Sequence, residues 1–171
     1  MFENRMKWRW GDTSPVTVDV ASTTAVKSGD LLWLNATSKK AEPADTFAFD
    51  TSLAKTQEAF ASKFLGVAMQ DSPSGTSGYI RVATTGVFEL DDSTAGDTSA
   101  CVGDYRGAVV NTAGTYLVSD KVISVSESYQ AIARIAHTEN ALPGKALVQI
   151  QSTIMRGGVA GSDPKHETSS N

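Results

Sequence analysis

Short β-prone runs separated by turn residues organise most of the chain. Val16-Thr17-Val18-Asp19-Val20 alternates with a period of two, as a strand with one buried face does. After the turn Ser28-Gly29-Asp30, the run Leu31-Leu32-Trp33-Leu34 is continuously apolar, the pattern of a strand covered on both faces. Residues 39–43 read as its return arm, which ends where Pro43 can no longer donate to a ladder. Residues 64–69, 79–84 and 86–90 continue the series, and the junction Thr85-Gly86 suits a bulge or tight bend rather than a loop. Further strands are predicted at 107–110, 115–118, 122–125, 131–136 and 146–151, with Asn111-Thr112-Ala113-Gly114 as a turn.

One segment departs from this period. Between Ser52 and Phe64 the residues Leu53, Ala54, Phe60, Ala61 and Phe64 recur at helical spacing, and Asp50, Thr51 and Ser52 offer capping oxygens. This predicts one short helix over about 52–64, laying an aromatic stripe on the sheet. About ten short strands with a single helix predict a mainly-β protein, with the sheet rolled into a barrel or folded as a sandwich. Residues 14–156 are expected to form a single β-rich domain. They are preceded by an N-terminal arm (1–13) and followed by a flexible tail (157–171) of Gly, Ser and charge without periodicity. The pair Gly-Asp recurs directly before a strand at Gly29-Asp30 and Gly103-Asp104; two occurrences alone do not establish a duplicated domain.

Composition narrows the classes of function. With 40 % apolar and 20 % charged residues the chain is globular, and a net charge of −4 argues against general nucleic-acid affinity. No stretch approaches the roughly 20 apolar residues that cross a bilayer as a helix, so no membrane span is expected. The first ten residues have no apolar core of the secretory kind, so synthesis in a cytoplasm is expected. Cys101 is the sole cysteine, which leaves no internal disulfide and no thiolate metal cluster; its apolar neighbours predict a buried thiol. His137 and His166 form no HxH or HxxxH pair, so no metal site and no cofactor are expected.

The search for catalytic groups finds little. Ser52 and Lys55 stand at SxxK spacing, which would set a lysine one helical turn from a nucleophile, but no KTG or SDN companion follows. Serine at a helix start is a common cap. Asp91-Asp92 is expected to be solvated loop, and His137 to be a surface residue without a nucleophile to serve. No enzyme is predicted.

The arm is different. Trp8-Arg9-Trp10 precedes the first alternating strand, and tryptophan and arginine are enriched where proteins bind one another. An extended arm can add a strand to a sheet edge, so Phe2, Trp8, Arg9 and Trp10 are the predicted interaction residues. The competing expectation is that these tryptophans fold back onto the chain's own core.

Taken in order, the runs 24–33, 64–69 directly after a short helix, 80–88, Gly103-Asp104-Tyr105, 133–135 and 147–150 resemble small phage capsid decoration (cement, head-stabilising) proteins. The likeness covers roughly residues 16–154. It implies a β-barrel or β-tulip-like sandwich on the outer surface of the mature virion head, often a homotrimer, bridging copies of the major capsid protein. The family carries no catalytic residues to transfer, and the arm lies outside the likeness. The alternative is a carbohydrate- or receptor-binding β module of a phage tail or fibre, which would place aromatics on loops; 71–78 and 91–99 contain none.

Overall fold

The computed structural model describes residues 6–75, 77–94, 100–138 and 143–159. The expected β-rich domain consists of two closed five-stranded barrels. The first comprises β2 (Val16–Val20), β3 (Leu31–Asn35), β4 (Lys40–Pro43), β5 (Phe64–Ala68) and β6 (Gly78–Ala83), hydrogen-bonded around the ring β2-β4-β3-β5-β6. The second comprises β7 (Thr85–Asp92), β8 (Tyr105–Val110), β9 (Leu117–Ser124), β10 (Ala133–His137) and β11 (Lys145–Gln151), in the order β7-β11-β10-β8-β9 and closed by β9 against β7. A short strand β1 (Trp8–Trp10) lies on β7, helix α1 (Leu53–Lys63) joins β4 to β5, and a single turn α2 (Thr153–Arg156) follows β11. Only Thr84 separates β6 from β7, so the tight junction expected near Thr85-Gly86 is the crossing from one barrel to the other.

The two barrels have the same topology. Counting strands in chain order within each, the first pairs parallel with the third and antiparallel with the fifth. The second pairs with the third and the fourth, and the fourth with the fifth, all antiparallel. One alignment matches the registers outside the β-bulges: Leu31↔Val67 matches Tyr105↔Arg134, Trp33↔Glu42 matches Gly107↔Ile123, and Val18↔Ile80 matches Leu90↔Ala146.

The recurring Gly-Asp is the local signature of this repeat. Gly29 and Gly103 both adopt φ 96°, where a side chain is strained. The Lys27 N–H donates to Asp30 Oδ2 at 2.9 Å, and the Cys101 N–H to Asp104 Oδ2 at 2.8 Å. Gly29 N–H reaches the Ala68 carbonyl and Gly103 N–H the Ile135 carbonyl, each at 2.8 Å; the Asp30 and Asp104 carbonyls accept from those same residues, each at 2.9 Å. The turn thus bonds the second strand of each barrel to the fourth.

Burial explains the apolar run at 31–34. Leu32 points into the first barrel with Val20, Ala41, Leu65, Ile80 and Val82, whereas Leu31 points out into a second core. That second core fills the other barrel (Phe88, Leu90, Val122, Ile132, Val148) and continues without a break to Phe60, Phe64 and Val67. The barrels therefore share buried surface. The tip of β8–β9 adds backbone bonds across the seam, from Phe49 N–H to the Thr115 carbonyl at 2.9 Å and from Leu117 N–H to the Phe47 carbonyl at 3.1 Å.

Several expectations need correction. Helix α1 begins where expected, capped by Ser52 Oγ, and its phenylalanines pack in an aromatic chain from Trp33 through Phe47 and Phe60 to Phe64. Ala54, however, is exposed, and the helix buries Thr56 and Gln57 instead. Their polar atoms are satisfied: Thr56 Oγ1 donates to the Ser52 carbonyl at 2.8 Å and Gln57 Nε2 to the Ala108 carbonyl at 2.8 Å. The runs 115–118 and 122–125 are not two strands but the continuous β9. Cys101 is exposed rather than buried, because the left-handed turn at Gly103 carries it to the surface.

Candidate interaction surface

The arm residues 6–13 do not stand off the molecule. β1 pairs antiparallel with the leading half of β7, Trp8 opposite Phe88 and Trp10 opposite Val87, with a bulge between them. The Glu89 N–H donates to the Lys7 carbonyl at 2.9 Å, and Arg9 forms an ion pair with Glu89 at 3.0 Å. Trp8 Nε1 closes back on the Gly11 carbonyl at 3.0 Å, and the Trp10 ring meets His137 edge-on at 6.3 Å. His137 lies on β10, two strands beyond β7, so the Trp10 ring extends across the outside of β11. Alternation turns Val87 and Leu147 out of the barrel, yet both are buried. Trp8 and Trp10 nevertheless remain 37 % and 45 % exposed. They fold back on the chain's own second barrel and still present aromatic surface on a rigid strand; Phe2 lies outside the described residues.

The carboxylates are structural where sequence suggested solvation. Asp91 and Asp92 end β7, and each has a cationic partner. Asp91 pairs with Lys145 on β11; the hydrogen bond from Lys145 holds the Asp91 carboxyl below its usual range and raises Lys145 in turn. Asp92 pairs with Arg106 Nε at 3.1 Å inside the second barrel, where the Arg106 side chain is 1 % exposed. Arg106 also donates to the Tyr105 carbonyl at 3.0 Å. A second acidic group lies at the seam between the barrels. Burial pushes Asp30 and Asp45 up; Asp45 and Asp120 repel Asp30 further, while Ser119 and the Lys27 N–H oppose the shift.

The predicted reactive residues are not brought together. Ser52 Oγ accepts the Lys55 backbone N–H at 3.2 Å, so the SxxK spacing is that of a helix cap with an exposed lysine. His137 packs against Trp10. The open groove between α1 and β9 is lined by Leu53, Ala54, Gln57, Ile123, Ser124 and their neighbours, none of them acidic or basic. Among the described residues no cluster of His, Cys, Asp and Glu is arranged to hold a metal. The surface residues missed at first are Tyr79, Tyr116 and Tyr129, exposed at 73 %, 45 % and 55 %. Tyr79 was legible: Ile80 and Val82 point inward on β6, so Tyr79 and Arg81 must point out.

No protein-family model matches the chain, and no curated protein matches it. Among solved structures, the N base of the head fiber gp8.5 of bacteriophage phi29 aligns with 80 % of this chain and 94 % of that one, at a TM-score of 0.42 and 12 % identity.

Proposed function

We propose that the chain is a structural virion protein without catalytic activity, a decoration subunit that binds the outer surface of a mature phage head. In this reading it assembles as a homotrimer and bridges copies of the major capsid protein. The observation that carries the reading is the Trp8-Arg9-Trp10 strand. Its two half-exposed tryptophans are held on a sheet edge and so lose little side-chain entropy on binding. The resemblance of residues 16–154 to decoration proteins supports the same reading.

Purified protein is expected to cosediment saturably with expanded heads and not with unexpanded precursors. Trp8→Ala, which removes the ring and its hydrogen bond to the Gly11 carbonyl, is expected to weaken binding at least about tenfold, the scale of an aromatic hot spot. Equal binding to both head forms, or an unaltered Trp8→Ala variant, contradicts the proposal. A fibre or tail module that binds carbohydrate is the second reading, favoured by Tyr129 and Tyr116 beside loops. Glycan-array binding that is lost in Tyr129→Ala would select it.

A further inference from the structure

The repeat creates two equivalent strand edges, and the chain fills one of them. In the second barrel the leading half of β7 holds β1 on the edge that its trailing half gives to β9. The donor on that edge is the Glu89 N–H. Register matching puts Thr17 of β2 in the place of Glu89, and Arg81 in the place of Leu147.

At Thr17 no other strand among the described residues pairs with the corresponding edge. β4 bridges β2 at Val20↔Ala41, and the chain before Lys40 turns back toward β3. Arg81, opposite Thr17, directs its N–H to Gln70 Oε1 at 2.8 Å and its carbonyl to the Met69 N–H at 2.9 Å. Both groups point away from β2, so Thr17↔Arg81 is a non-hydrogen-bonded antiparallel pair. The Thr17 N–H and carbonyl therefore face outward, and the residue is exposed. An unpaired edge of this kind is a template for another strand.

Charge decides which strand fits. The filled edge offers Glu89 and holds the basic segment Lys7-Trp8-Arg9 through the Arg9 ion pair. The open edge offers exposed Lys39, in the turn leading into β4, and exposed Arg81. Neither engages in an ion pair among the described residues. A second copy of β1 would bring Lys7 and Arg9 against these cations. We infer that the β2 edge at Thr17 docks an extended, acidic segment of a partner protein, added antiparallel as β1 is added to β7.

The test uses the full chain and a nine-residue synthetic peptide of alternating valine and glutamate, with the lysine analogue as control. Binding is followed by NMR shifts and by amide hydrogen exchange. The Thr17 amide is expected to exchange fast in the free protein and to become protected by the glutamate peptide only. Thr17→Pro removes that N–H at an edge position where proline is tolerated, and is expected to weaken binding about tenfold or more, while Thr17→Val leaves it within about twofold. Arg81→Glu should reverse the preference toward the lysine peptide. The inference is overturned if the Thr17 amide is already protected without peptide, or if the peptide protects β7 instead. Equal binding of both peptides, or of Thr17→Pro and the parent chain, overturns it too. Should Thr17→Pro fail to fold, exchange in the parent chain and the Arg81→Glu preference still decide.

Discussion

The buried pair Asp92–Arg106 gives the sharpest test of the internal repeat. Register matching places Val20 at the position of Asp92 and Leu32 at that of Arg106. The first barrel thus fills with two buried aliphatic groups the positions where the second holds an ion pair. The Arg106 side chain is 1 % exposed and that of Asp92 10 %, so removing the carboxylate takes an ionic partner from a buried guanidinium. Breaking such a pair costs about 3–5 kcal/mol, whereas replacing both partners with apolar groups is often neutral or stabilising by about 1–4 kcal/mol. Asp92→Val alone is therefore expected to lose about 3–5 kcal/mol, a fall in Tm of roughly 10 °C for a chain of this size. Asp92→Val with Arg106→Met, chosen because methionine fills most of the length of arginine, is expected to recover to within about 1 kcal/mol of the parent. Urea denaturation followed by circular dichroism, read as a double-mutant cycle, measures both quantities. A single variant costing less than about 1 kcal/mol would refute the argument. So would a double variant no more stable than the single one.

Two further expectations concern the turn and the seam. Gly29→Ala and Gly103→Ala each force a side chain to φ 96°, and should each cost about 1–2 kcal/mol in urea melts; clearly unequal losses would show that the two turns are not energetically equivalent. At the seam, Asp45 is raised by burial and itself raises Asp30, so ionisation of both opposes folding. A folded pKa above the unfolded 3.8 means that native protein binds more protons between those values, so this contribution to stability falls as pH rises through the folded pKa. Asp45→Asn is therefore expected to raise Tm at pH 7 and to give a smaller difference at pH 3. A gain that is equal at both pH values would rule out an ionic cause.

Much of the local structure was legible because alternation and turn chemistry act over a few residues. The run 16–20, the turn at Gly29-Asp30 and the Ser52 cap appear where their side chains predict them. The misreadings have one origin. Thr56 and Gln57 lie outside the apolar stripe that the spacing of the helix marks, yet both are buried, and for Gln57 Ala108 of the other barrel supplies the acceptor. Asp92 looked solvated, but Arg106 approaches from a strand that follows it by 14 residues. Cys101 looked core-like beside Ala100 and Val102, yet the left-handed turn holds it at the surface. The arm's tryptophans could not be assigned until β7 offered an edge to receive them.

The amino-acid sequence alone determined roughly where most strands lie, which face of the alternating ones is apolar, and that two Gly-Asp turns precede strands. It left open which strands are neighbours, because a period of two specifies a face and not a partner. The tertiary structure decided that ten strands close into two rings, joined at the single residue Thr84. The repeat is almost silent in sequence for the same reason. A barrel interior accepts Val20 and Leu32 in one copy and Asp92 with Arg106 in the other, provided that each buried atom has a partner or a packed neighbour.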